Sequence, residues 1–217
     1  MRVSCNEIES MVLKAARGAG MSWGLAEEAA QAARWLAVRC PGWLPAFAGV
    51  LESFDSLAAP CGDTTATIIG PALPSQELCP VRTGAYLSDL LEPADRDGRV
   101  LIIGPVRSPI LLVPFVARVV HTAELSIDGT AWCLRDGFID TDWRPLLATA
   151  CRFARRVEIS IAADQPPTPP AYVHAAGGLT VHPADWQRLA VLERRTYVPA
   201  SDASRVAGAG AGLTDND

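Results

Sequence analysis

The chain has 217 residues, of which 49% are hydrophobic and 20% charged, and its formal charge is -5. That length suits one domain with a sizeable core, and enough apolar side chains are present to offset chain entropy, which excludes a disordered polymer. The acidic balance lacks the electrostatic footprint of a phosphate-backbone binder, so no nucleic-acid partner is expected.

The first quarter reads as helical. Ser4 and Glu7 have capping-box spacing, with Val3 and Ile8 placed as a hydrophobic staple. Ile8, Val12, Ala15 and Ala19 then recur at helical spacing, and Gly18 and Gly20 end the helix. Ser22 caps a second helix, which carries Glu27 and Glu28 near its start and Arg34 and Arg39 toward its end, an order that suits the helix dipole. Pro41-Gly42 stops it. Leu44, Phe47, Leu51 and Phe54 lie on one face of a third helical stretch. Residues 1–57 therefore read as a small bundle or cap packed on the rest of the chain.

Residues 58–195 read as a β-rich body. Its first part is broken by Pro60, Pro71, Pro74, Pro80 and Pro93, with a strand expected over 65–69 and a short helix over 84–91. Val100 to Ile103 and Ile110 to Val113 have the form of buried strands, and Phe115 to His121 of a third. The stretch from Val100 to Val120 is the most apolar, but Arg107, Arg118, Pro105, Pro109 and Pro114 interrupt it, so no membrane span is expected. Glu124 to Leu134 is a hairpin with Asp128-Gly129 at its tip. Asp142 caps a helix running to Phe153, which would place Arg155-Arg156 at its C-terminus. Val157, Ile159 and Ile161 alternate with polar residues as a half-buried strand, and QPPTPP over 165–170 is a stiff extended connector. A strand near Leu179 to Val181 leads into a helix over about 184–195. Residues 196–217 form a Gly-rich tail. The fold class expected is α+β: an N-terminal helical layer, a mixed or antiparallel sheet with packed helices, and an extended C-terminal tail, all in one domain.

Two segments carry a family resemblance. The first runs through Ser4-x-Asn6-Glu7-Ile8, Lys14-Ala-Ala-Arg-Gly-Ala-Gly20, Trp23-Gly-Leu-Ala-Glu-Glu-Ala29 and Arg34-Trp35-Leu36. The second is Glu193-Arg-Arg-Thr-Tyr-Val-Pro-Ala-Ser-Asp-Ala-Ser-Arg205 with the GAGAG run and Asp215-Asn-Asp217. Together they resemble an uncharacterised family of bacterial cytoplasmic proteins, a domain of unknown function. The resemblance transfers no catalytic residue. A fainter one is to the N-terminal helices of the malate/L-lactate dehydrogenase family that is not Rossmann-like. That family places a His-containing motif after its helices, whereas Cys40-Pro-Gly-Trp-Leu44 has no histidine and this chain is much shorter.

Chemistry is sparsely signalled. Lys14 is the only lysine, so there is no P-loop and little scope for Schiff-base catalysis. Cys5, Cys40, Cys61, Cys79, Cys133 and Cys151 are scattered, with no C-x-x-C pair and no histidine at zinc-site spacing. The opening MRVSCNEIES has no apolar h-region, so no signal peptide is expected; reduced thiols in a cytoplasm are the simplest account. No metal and no cofactor is expected. Cys61 and Cys79 lie in loops. A thiol nucleophile needs a base, a cation or a helix N-terminus, and Arg82 is near Cys79 in sequence. No local histidine supports either, and a small partly buried side chain is the simpler account.

His182, at the junction of a strand and a helix, and Asp185 are the acid–base candidates, although Pro at N1 and Asp at N3 also suit a plain helix start. His121 and His174 are isolated in sequence. In the tail, Gly208, Gly210 and Gly212 allow backbone N–H groups to approach an anion, with Arg205 adding charge; a plain Gly-rich terminus is the simpler account. Arg194-Arg195 and Arg155-Arg156 suit helix C-termini or an anion clamp, and Asp140 and Asp142 a helix cap or an acid pair. Trp23, Trp35 and Trp43 cluster in the helical part, where an exposed face would mark an interface. Two functional classes stay open. One is an accessory or assembly protein that associates with itself or a metabolic enzyme through its helical face and tail. The other is a small cofactor-free enzyme acting on an anionic small molecule.

Overall fold

The computed structural model describes residues 1–62, 67–91, 98–135, 137–139, 152–162 and 178–197. The order begins with strand β1 (Arg2–Val3) and helices α1 (Cys5–Gly18), α2 (Trp23–Arg39) and α3 (Leu44–Glu52). Next come β2 (Ile68–Ile69), α4 (Pro80–Leu90), β3 (Val100–Ile103), β4 (Val106–Arg107), α5 (Val113–Val119), β5 (Thr122–Ile127), β6 (Thr130–Arg135) and β7 (Phe138–Ile139). After these stand β8 (Phe153–Ala154), β9 (Val157–Ile161), β10 (Leu179–Thr180) and α6 (Pro183–Glu193). The fold is α+β.

Local chemistry sets the helical layer. The Ser4 hydroxyl accepts from the Glu7 N–H at 3.2 Å, while the Ser4 N–H donates to the Glu7 carboxylate at 2.7 Å, so the expected capping box forms. Those bonds hold the Glu7 carboxyl below its ordinary pKa. Ser22 caps α2 through the Leu25 N–H. Ala26, Ala29, Ala30, Ala32 and Ala33 are all buried on α2, and such small side chains let helices pack closely. Pro45 sits in the first turn of α3, which buries Leu44, Phe47 and Leu51, with Phe54 buried just beyond. The Trp43 ring meets Phe47 edge-on, with centroids 5.5 Å apart.

Six strands form a sheet in the order β2-β3-β9-β5-β6-β7. Strands β2 and β3 are parallel and every other neighbouring pair is antiparallel. Alternation fixes its faces. Leu101, Ile103, Leu125, Ile127, Trp132, Leu134, Val157, Ile159 and Ile161 are buried and join one hydrophobic cluster with the helices, while Glu158 and Ser160 are half-buried on the other side. The expected hairpin is present. Asp128 and Gly129 have φ of 47° and 87°, the positive values a two-residue turn requires. The Asp128 carboxylate accepts from the N–H groups of Arg155 at 3.0 Å and Arg156 at 2.9 Å, tying the hairpin tip to the turn between β8 and β9.

Three expectations are corrected. Ile110 to Val113 and Phe115 to His121 are not strands: a 3-10 turn over Pro109–Leu112 leads into α5. Pro109 and Pro114 fall in first turns, where the missing N–H has no partner to lose, and the unbroken burial of residues 109–116 hides the period that separates helix from strand. Arg155 and Arg156 end no helix. They form the β8–β9 turn, and Phe153 lies in a strand. Of the strand expected over 65–69, Ile68–Ile69 is present, and residues 63–66 lie outside the described ones. The helix start at Asp142, the connector over 165–170 and tail residues 198–217 also lie outside them.

Helix crossings are close where glycine permits. A Cβ on Gly18 would collide with the Leu192 carbonyl of α6, and one on Gly84 of α4 with the Phe115 ring of α5. No described helix is long and apolar enough to cross a membrane.

Candidate functional site

Between the α2–α3 turn and the stretch from β10 to α6 lies a cleft of about 580 Å³. Local sequence builds both walls. Cys40 leaves α2 in an extended conformation, Gly42 takes a φ of 85° to reverse the chain, and Pro45 starts α3. On the opposite wall His182 is extended, as the residue before a proline prefers, and Pro183 opens α6. Pro41, Trp43, Leu44, Pro45, Leu179 and Val181 give the cleft an apolar lining, and Thr180, His182 and Asp185 bring polar groups to it.

The two acid–base candidates thus border one cavity. Asp185 accepts a hydrogen bond from Arg188 Nη1 at 3.3 Å. Arg188 is itself gripped in bidentate fashion by Glu52 of α3, at 2.8 Å from Nε and 2.7 Å from Nη2. The Arg188 hydrogen bonds hold the Glu52 carboxyl below its usual range, and Glu52 first and Asp185 second raise Arg188 above its own. This chain of charges fastens α6 to α3. His182 is exposed; its backbone carbonyl accepts from the Trp186 N–H at 3.1 Å, and no hydrogen bond joins its side chain to Asp185. An imidazole–carboxylate relay needs that bond. Sequence reasoning missed Glu52 because 136 positions separate it from Arg188; the three-residue spacing of Asp185 and Arg188 on one helix was the local signal that could have found Arg188.

The other candidates are dispersed. Cys40 borders the cleft but is fully buried. Cys79 caps α4, and burial pushes its thiol pKa up despite the Arg82 and Val81 N–H groups and the Arg82 charge. Arg82 activates no thiol there. Its guanidinium lies 3.9 Å from the Phe54 ring centroid and donates to the Leu57 carbonyl at 2.6 Å. Cys61 is exposed. His121 stands outside the cleft, beside β5. Arg194 and Arg195 form an exposed 3-10 turn after α6, as their helix-end reading expects. Trp43 is buried and Trp35 half-buried, while Trp23 is 63% exposed with Arg17 stacked on it. His174, Cys151, Asp140, Asp142, Arg205, Gly208, Gly210 and Gly212 lie outside the described residues. Among the described residues no group of three or more His, Cys, Asp or Glu side chains is placed to hold a metal ion.

Residues 3–83 match the model of a family described as a protein of unknown function (DUF3726). The match begins at β1, spans α1 to α3 and β2, and reaches into α4, so it takes in the N-terminal motifs and the α2–α3 wall of the cleft. No curated protein and no solved structure matches the chain.

Proposed function

We propose that this protein is an accessory or assembly protein, which associates with itself or with a metabolic enzyme by receiving an apolar segment in the cleft between its helical layer and β10. The observation that carries the reading is the cleft itself. Its walls are apolar, and its one carboxylate is already engaged by Arg188. Apolar concavities with few polar groups bind by burial, and a carboxylate held by a guanidinium is a poor general base. The exposed Trp23 on the helical layer and the Gly-rich tail are further surfaces for the same role.

Light scattering across a wide concentration range, together with the fluorescence of an apolar naphthalene sulfonate dye, tests the reading. Pro45 is exposed at the mouth of the cleft, so Pro45→Arg places a charge there without touching the core. The expected result is dye binding or self-association in the native chain that falls at least about tenfold in the variant, as a charge opposing apolar burial requires. A native chain that stays monomeric and binds no dye overturns the reading.

The second reading, a small cofactor-free enzyme on an anionic metabolite, draws on the position of His182 and Asp185 along the same cleft. It requires Asp185 to be released from Arg188. A carboxylate or phosphate metabolite that raises the melting temperature of the native chain, but not of His182→Asn, would favour it.

A further inference from the structure

The two walls of the cleft come from distant parts of the chain, residues 37–45 and 179–185, and the Arg188 side chain is bonded to both. Its Nη1 donates to the Pro45 carbonyl at 3.5 Å on the first wall and to the Asp185 carboxylate at 3.3 Å on the second. Both bonds are long, and a guanidinium free to turn would not keep them. Glu52 removes that freedom by gripping Nε and Nη2 at 2.8 and 2.7 Å. Helical spacing makes the arrangement possible. Pro45, Gly49 and Glu52 stand at i, i+4 and i+7 on one face of α3. A Cβ added to Gly49 would lie 3.7 Å from Arg188 Nη2, so the guanidinium runs along α3 over the glycine. Asp185 and Arg188 stand at i and i+3 on α6. Glu52 and Arg188 are outside the lining of the cleft and brace it from behind.

We propose that Arg188 is a positioning residue of the cleft, a strap that holds its two walls at the spacing an apolar segment needs. The inference rests on the proposed binding role and names what keeps that site ready. With the strap in place the cleft has about 580 Å³, within the roughly 300–1,000 Å³ of ligand pockets, so the strapped state is the receiving one. A ligand that meets preformed walls does not have to order them, and this raises its affinity. Leu189 and Leu192 of α6 share one buried cluster with Leu44, Phe47 and Leu51 of α3. Without the strap the two helices therefore still pack, but the rim of the cleft loses its fixed width. The Arg188 and Glu52 side chains are 35% and 42% exposed, so salt reaches the strap and screens it. Binding of an uncharged apolar ligand then depends on ionic strength, which apolar burial alone does not require.

Fluorescence titration of the full chain with an uncharged naphthylamine dye tests the proposal. Arg188→Gln should bind the dye at least about threefold more weakly than the native chain, the scale of a partly exposed charge network. Arg188→Lys keeps the charge but loses the fork, so it should recover only part of the affinity. Raising sodium chloride from about 0.1 M to about 1 M shortens the screening length from about 10 Å to about 3 Å. The native affinity should then fall to that of Arg188→Gln, whose own affinity stays flat or rises. A residue that only stabilised the fold would shift the melting temperature without giving the two chains different salt responses. Equal affinity, or the same salt response, in the native chain and a folded Arg188→Gln overturns the proposal and leaves the binding role standing. If Arg188→Gln does not fold, the native chain decides alone, and an affinity that does not fall with salt overturns the proposal. A native chain that binds no dye at either salt concentration overturns both.

Discussion

For single residues, burial rather than sequence neighbourhood decides reactivity. Cys79 has a cation three residues away, yet burial holds it as a neutral thiol, while Cys61 lies exposed. Iodoacetamide under native conditions should modify Cys61 well before Cys79, which peptide mass mapping would show. Cys79 labelling at a comparable rate would mean that α4 opens locally. Glu52 is the residue whose charge the fold exploits most clearly. Its folded pKa is depressed, so its contribution to stability is complete above the ordinary glutamate pKa and is lost as the pH falls through the folded value. The pair is partly exposed, so Glu52→Gln should cost only about 0.5–1 kcal/mol at neutral pH. The gap between native and variant should close on acidification below about pH 4, near the free glutamate pKa. Thermal melts across that range check it, and a gap that stays constant would mean that the pair contributes nothing through charge.

Between elements, stability depends on a few close approaches. The α1–α6 and α4–α5 contacts each place a glycine where a methyl group would meet a neighbour. Gly18→Ala meets backbone, which has little room to shift, whereas Gly84→Ala meets the ring of Phe115, which is fully buried. Each should destabilise by about 1–3 kcal/mol in urea unfolding, the usual range for overpacking, even though alanine is the better helix former. A neutral or stabilising result at Gly18 would mean that α6 packs less closely on α1. The hairpin offers a second check. Asp128→Ala removes an acceptor shared by two N–H groups and puts alanine at a positive φ, so a loss of about 1–3 kcal/mol is expected. Asn tolerates that φ and keeps one acceptor oxygen, so Asp128→Asn should recover part of the loss.

Across the whole molecule, the features legible in the chain are those that local interactions decide. Both Ser-capped helices, the third helix, the Asp128-Gly129 hairpin, the alternating β9 and the helix after Pro183 rest on capping, turn chemistry or periodicity over a few residues, and the structure has them all. The α+β class and the N-terminal motifs within the family match were legible on the same grounds. Locality failed where burial is complete. Residues 110–116 are all buried, so the stretch shows no apolar–polar period, and in the structure it is a 3-10 turn and a helix packed against α4. Locality also could not reach the cleft, whose walls come from residues 37–45 and 179–185. His182 and Asp185 were legible as candidates because a strand-to-helix junction is a local signal. That Arg188, bonded to Asp185 one helical turn away, is also gripped by Glu52 was settled only when α6 docked on α3, since the energy of an ion pair depends on distance in space, and 136 positions of chain carry no trace of it.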